Sequence, residues 1–297
     1  MRVVLLGTGA AMVDPDRNHS SILLTVRGVN YLFDCGHNAT RQMVRYGIDP
    51  ASVRAIILSH LHFDHIADFP YYMIATWMMG REDAVTVVGP RDTGAFVRNS
   101  LASGAFAKDI EARAKYPQRQ ANCGYLDPPV IECEPGLIYE DDLVRVTACH
   151  VEHIPREISP CFGLRMDTVD GESVVFSGDT APCDRLIELA RDCDLLIHEC
   201  TFPEKAIEFR SKAGIGTWAH TGPADFGRIA VESRTKQAVA THFGHFETTN
   251  PVLRKHLAKH MPIEMVGPEA MEEVKNDIRA RYKGPLHIAR DGMQIDL

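Results

Sequence analysis

The amino-acid sequence predicts an α/β protein, with sheets covered by helices, on three observations. Short runs rich in Val, Ile and Leu recur along the chain, and stretches with helical spacing of apolar residues lie between them. No Pro/Ser linker, fixed-period repeat or low-complexity tract divides the 297 residues. Length alone suggests about two domains. Sheet sandwiches often use this length as one unit, so a single domain over 1–297 is expected.

The strand candidates, each bounded by turn residues, are 2–7, 21–26, 30–36, 54–59, 85–90, 143–149, 162–167, 173–178, 194–199 and 237–242. Helices are expected at 38–47, stopped by Gly47, and at 183–193, opened by Pro182. "GPADFGRIAVES" and "PEAMEEVKNDIRARY" also read as helices. The least strand-like segment, 99–129, reads as a helical insertion lying over one end of the fold, amphipathic over 105–116. A looser echo links "RAIILSHLHFDH" with "SVVFSGDTAPCDRLIELA": both run strand, polar loop, helix. Their polar residues fall at the C-terminal ends of strands, where open α/β sheets place their sites.

Composition is ordinary, at 45% hydrophobic and 24% charged. No apolar run approaches the roughly 20 residues of a membrane span. The run Val3–Leu6 meets Gly7 too soon for a signal peptide, so a cytoplasmic location is expected. The eight cysteines include no C-x-x-C pair and read as reduced thiols. A net charge of −8 argues against a broadly electrostatic nucleic-acid binder.

Chemistry concentrates in "SHLHFDH". In extended backbone, residues two apart point the same way, so His60 and His62 suit one ion. Asp64 and His65 follow where the chain turns into a helix and suit a second. Imidazole and carboxylate donors without cysteine fit zinc, manganese or iron rather than a structural zinc knot. Four donors do not complete two sites, so later strands should supply more. Asp179 in "FSGDT" is placed to bridge two ions, with a helix N-cap as its bland alternative. His242 ends an apolar strand, and "CHVEHIP" offers His150 or His153, of which His153 is preferred because His150 falls within the strand.

This order of motifs resembles the metallo-β-lactamase superfamily over nearly the whole chain. The resemblance puts His60, His62 and His153 on one ion and Asp64, His65 and His242 on the other, with Asp179 shared. It implies a four-layer αβ/βα sandwich of two similar halves. It also implies two divalent metal ions, zinc first, with manganese and iron as alternatives. "LLGTGAAMVDPDRNHSSILL", "YLFDCG", "SHLHFDHIADFP" and "VVGP" look like the ribonuclease Z and arylsulfatase-like branch. By that resemblance Glu199, in "LLIHECTF", and His220, in "AHTGPADF", form the pair that protonates the leaving group. A support role for Glu199 behind a metal ligand weighs nearly as much.

The implied function is dinuclear hydrolysis of an ester by metal-activated water, with Asp64, Glu199 and His220 as catalytic residues. A phosphodiester or aryl sulfate in a small or medium-sized molecule comes first. Three departures set it ahead of a transfer-RNA 3′-processing endonuclease: His220-Thr221-Gly222 stands where that branch carries H-S-T, the D-C-G loop continues His37-Asn38, and no Gly/Pro-rich arm is evident. Nucleic acid is therefore the second choice of substrate, and a non-hydrolytic metal-binding protein the third reading. No membrane partner is expected, and the resemblance implies a homodimer.

Overall fold

The apolar runs become the strands of two mixed sheets, each of seven strands. The structure is a computed structural model and describes residues 1–101, 103–120, 126–217 and 219–297. Two compact units divide the chain. The first comprises Met1–Gly7, Asn18–Glu134 and Gly292–Leu297; the second comprises Thr8–Arg17 and Pro135–Asp291.

The first unit holds β1 (Arg2–Gly7), β2 (Ser21–Val26), β3 (Val29–Phe33), β4 (Val53–Ile57), β5 (Thr86–Gly89), β6 (Val130–Glu132) and β14 (Met293–Asp296). Its strand order is β14-β1-β2-β3-β4-β5-β6. From β14 to β3 the pairings are antiparallel, and from β3 to β6 they are parallel. Helices α1 (Ala39–Arg45), α2 (Phe63–Ile66), α3 (Phe69–Met78), α4 (Thr93–Ser100), α5 (Ala107–Ala114) and α6 (Pro117–Gln120) complete the unit. Gly47, at φ 75°, follows α1 in the left-handed conformation that ends many helices. One core cluster joins Leu6, Leu23, Leu32 and Ile56 of the sheet to Met43, Phe69, Tyr72 and Trp77 of α1 and α3. Cutting Phe69 back to Ala would cost about 3–5 kcal/mol at such a site.

The second unit holds β7 (Gly136–Glu140), β8 (Val144–His150), β9 (Phe162–Thr168), β10 (Ser173–Phe176), β11 (Leu195–Glu199), β12 (Gln237–Thr241) and β13 (Leu286–Ile288). From β7 to β10 neighbours are antiparallel, and from β10 to β13 they are parallel. Helices α7 (Asp184–Leu189), α8 (Glu204–Lys212), α9 (Pro223–Glu232), α10 (Pro251–Leu257) and α11 (Glu269–Arg281) belong here. α9 turns Phe226, Ile229 and Ala230 inward and packs along α11, which buries Val274 and Ile278.

The two sheets thus repeat one pattern of pairing, three antiparallel steps and then three parallel ones. In that pattern β3 corresponds to β10 and β4 to β11. The echo read from the sequence set β4 against β10, one strand out of register. Topology pairs "YLFD" with "VVFSGD", and "AIILSH" with "LLIHEC".

Helix α5 appears inside the expected 105–116 stretch, and its charges pair within the helix: Lys108 with Glu111, Arg113 with Asp109. Residues 102 and 121–125 of the expected covering insertion lie outside the described residues. In "FPYYMIATWMM", Tyr72, Met73 and Trp77 are core, while Tyr71, Met78 and Met79 are exposed. The seven described cysteines are all free thiols. Among the described residues, no helix is long and apolar enough to cross a membrane.

Candidate metal donors and a carboxylate–imidazole pair

Within the first unit, the loop after β4 carries His60, His62, Asp64 and His65, with His60, Asp64 and His65 buried. The rings of His60 and His65 lie 4.1 Å apart and those of His60 and His62 4.9 Å apart. His65 Nε2 stands 3.5 Å from Asp64 Oδ2. Two donors of one tetrahedral ion, each about 2.0–2.2 Å from it, stand roughly 3.3 Å apart, so this spacing fits a shared ion.

Asp34 organises that loop from the end of β3. Its Oδ2 takes the hydrogen of His65 Nδ1 at 2.6 Å and that of Ser59 Oγ at 2.8 Å, while its Oδ1 takes the Ser59 amide at 2.7 Å. With its proton on Asp34, Ser59 Oγ accepts from His60 Nδ1 at 3.0 Å. Both imidazoles are therefore protonated at Nδ1, which makes Nε2 the nitrogen that could hold an ion. In the sequence Asp34 stands out only as part of "YLFDCG" and its D-C-G loop, with no role of its own. Its work was missed because a single carboxylate after a strand has no spacing signature of its own. The chain approaches closely here. A Cβ on Gly36 would lie 2.2 Å from the Asp64 carbonyl, and Cys35 N donates to the His65 carbonyl at 2.7 Å.

Within the second unit, Asp179 follows β10 and sits between two imidazoles. His242 Nε2 is 3.2 Å from its Oδ1, and His153 Nε2 is 3.6 Å from its Oδ2. Each oxygen faces a different ring, the arrangement a bridging carboxylate requires. His150 ends β8 with its ring against Phe162, whereas His153 lies in the loop beyond it. Burial pushes His153 below its ordinary imidazole range despite Asp179, which keeps the ring neutral and able to ligate. His242 follows β12 with φ 56°, left-handed backbone that needs outside support. That support flanks Phe243, whose amide donates to the Thr8 carbonyl at 3.0 Å and whose carbonyl accepts from the Ala10 amide at 3.0 Å. The Arg17 guanidinium lies 4.8 Å from the Phe243 ring centre.

Glu199, the last residue of β11, is fully buried and filled with partners. Oε1 accepts from Thr180 N at 2.5 Å, and Oε2 from Thr201 Oγ at 2.7 Å and Thr221 N at 3.2 Å. His220 Nδ1 lies 2.9 and 3.0 Å from the two oxygens. Burial pushes the Glu199 carboxyl upward, but the charge and hydrogen bond of His220 prevail and hold it below its usual range. Thr201 gives its proton to Glu199 and accepts from His242 Nδ1 at 2.9 Å. Glu199 thus supports both roles weighed for it: it pairs with His220, and through Thr201 it sets the tautomer of His242. Ser59, two residues past β4, and Thr201, two residues past β11, relay in the same way from equivalent strand ends, although their carboxylates come from the ends of β3 and β11.

Other histidines fall elsewhere. His256 and His260 are exposed near the end of α10, with rings 5.3 Å apart. His245 is buried beside Met12 Sδ at 3.2 Å, and burial pushes its pKa down.

The donor set is that of a divalent metal ion: His60 with His62 in one unit, and Asp179 with His153 and His242 in the other, each pair within 4.8 Å. Comparison with known proteins agrees. A family model described as "Anti-Pycsar protein Apyc1" matches residues 1–209. Ribonuclease Z of Mycobacterium bovis is 33% identical over 204 residues, covering 67% of this chain and 69% of its own. Ribonuclease Z of Bacillus subtilis is 31% identical over 294 residues, covering 82% and 88%. Among solved structures, the metallo-β-lactamase fold protein YhfI of Bacillus subtilis superposes with a TM-score of 0.70 at 21% identity, over 99% of both chains. The short form of human tRNase Z does so with a TM-score of 0.69 at 20% identity, over 100% of this chain and 99% of that one. The fold is the α/β sandwich they share.

Proposed function

Because the chain belongs to the family described as anti-Pycsar protein Apyc1, in the ribonuclease Z branch of the metallo-β-lactamase superfamily, and is a metal-dependent hydrolase acting on ester bonds, we propose that it cleaves a phosphodiester in RNA. Relatives named ribonuclease Z move RNA ahead of the smaller ester that the sequence had put first.

The observation that carries the reading is the Glu199–His220 pair. A nucleotide alkoxide leaves phosphorus poorly unless it is protonated as the bond breaks. An imidazole with Nδ1 on a buried carboxylate can deliver that proton from Nε2. His60, His62 and His153 are proposed as ligands of one ion, Asp64, His65 and His242 of the other, with Asp179 shared. Zinc is the first choice of metal. Such ions supply an acidified water and neutralise charge on the phosphoryl oxygens. Asp34 and Thr201 hold the ligand rings in the Nδ1-protonated tautomer, and His220 serves the leaving oxygen. A homodimer is part of the same reading.

A second reading, a small nucleotide phosphodiester, is favoured by one observation. Where a Gly/Pro-rich RNA clamp would be expected, α5 has charges that pair with each other, in a chain of net charge −8. Assays with precursor transfer RNA and with small linear and cyclic nucleotide phosphodiesters separate the two, using Asp179→Ala as control. Site-specific RNA cleavage that weakens steeply with salt supports the first. Turnover confined to small phosphodiesters replaces it with the second. No phosphodiester turnover at full metal loading overturns both.

A further inference from the structure

Phe63 stands between two proposed ligands, His62 and Asp64, and is 58% exposed, while Asp64 is 2% and His65 0% exposed. It opens the short helix α2, where a polar residue would serve the backbone equally well. So exposed a ring beside two proposed donors can meet a bound molecule directly. It is also not isolated. The His19 ring stands edge-on to it, with centroids 5.6 Å apart and planes at 77°, and the exposed His37 ring lies 5.9 Å beyond His19.

The three rings come from three separate loops, and the structure fixes those loops to one another. Asn38 Nδ2 donates to Asn18 Oδ1 at 2.8 Å, which ties the residues beside His37 and His19. The backbone of His19 lies so close to Gly7 that a Cβ there would stand 1.7 Å from the His19 carbonyl oxygen. Cys35 N and Gly36 bind the same region to the Asp64–His65 backbone. An aromatic strip thus begins within the donor loop and runs along the first unit.

We propose that Phe63, backed by His19, is a stacking platform for a nucleobase, and that it determines specificity for nucleotides over other phosphate esters. The inference rests on the phosphodiester reading only for the position of the phosphate. A phosphoryl group held at His62 or Asp64 lies one residue, about 3.8 Å of chain, from Phe63. A base attached through its ribose reaches the ring from there. Stacking tolerates any base, so the expected preference is for nucleotides as a class.

The test uses zinc-loaded wild-type protein, Phe63→Ala and Phe63→Trp. Calorimetry compares binding of AMP and CMP with ribose 5-phosphate. Turnover compares thymidine 5′-p-nitrophenyl phosphate with methyl p-nitrophenyl phosphate, which share a leaving group. In Phe63→Ala, AMP and CMP binding should weaken about 10-fold relative to ribose 5-phosphate, and kcat/KM for the nucleoside ester should fall similarly relative to the methyl ester. Phe63→Trp should restore both. The platform is overturned if wild-type protein binds AMP and CMP no better than ribose 5-phosphate, or if Phe63→Ala weakens all three alike or none. Base-dependent binding that Phe63→Ala abolishes, in a protein that cleaves neither ester, keeps the platform and removes the phosphodiester reading instead.

Discussion

Asp34 Oδ2 receives the Nδ1 hydrogen of His65 at 2.6 Å, and Asp34 itself sits in left-handed backbone at φ 57° immediately after β3. Asp34 is thus held in strained backbone where its carboxylate fixes the ring of His65, which is proposed as a ligand. His242 repeats the strained position at φ 56°, there on the donor itself.

Asp34→Asn should weaken divalent-ion affinity about 10–100-fold, the usual effect of losing an outer hydrogen-bond partner of a ligating imidazole. Metal titration after chelator dialysis reads this directly. Circular dichroism should show the fold retained.

Thr201→Val removes the hydroxyl between Glu199 and His242 and leaves buried polar atoms unpaired, at about 1–3 kcal/mol. One of the two ions should be lost preferentially on dialysis. Thr201→Ser, which keeps the hydroxyl, should hold both.

His220→Gln should lower turnover of alkyl phosphodiesters by about 10²–10⁴-fold. A p-nitrophenyl leaving group needs little protonation, so its turnover should fall far less. Equal losses on both would remove His220 from proton transfer. Elemental analysis should find metal content as in the wild type.

Arg17 pairs with Glu247 at 2.6 Å with its side chain only 2% exposed, and it donates to Thr8 Oγ1 and the Ala289 carbonyl, each at 2.8 Å. Arg17→Met should cost about 3–5 kcal/mol, because Glu247 keeps a half-buried charge with the exposed Arg290 no nearer than 3.9 Å. Denaturant titration measures it, and Arg17→Met/Glu247→Gln should recover part of the loss.

Asp194 supplies a pH dependence away from the donors. Burial pushes its carboxyl up, but hydrogen bonds from Lys236 and Ser173 outweigh this and hold it low. A lowered carboxylate pKa stabilises the fold above the unfolded value of about 3.9 and ceases to do so as pH falls through the folded value. The Tm difference between wild type and Asp194→Asn should accordingly be constant near neutrality and shrink below about pH 4.

The strands buried on both faces were legible as continuous apolar runs, since "RVVLLG" and "DLLIHE" have no other home in a folded chain. The edge strands were not. β6 exposes Ile131 and Glu132, and β7 exposes Gly136 and Leu137, so no pattern marks either before pairing. His60, His62, Asp64 and His65 announced themselves by spacing. Thr201 and Ser59 did not, because a hydroxyl relaying one hydrogen bond leaves no trace in composition. Phe63 was hidden for the opposite reason: beside "HLH" an aromatic reads as core until its exposure is seen.

β1 pairs with β14 along Arg2–Leu5 and Met293–Asp296. On the ribosome, β1 must wait for β14, far later in the chain, before its outer edge is covered. At about 5–20 residues per second, the 285 or so residues between them take roughly 15–60 s to synthesise. Through that interval the nascent chain carries an apolar strand with one open edge, the geometry that recruits foreign strands. Chaperone demand during synthesis follows from where this sheet finds its seventh strand.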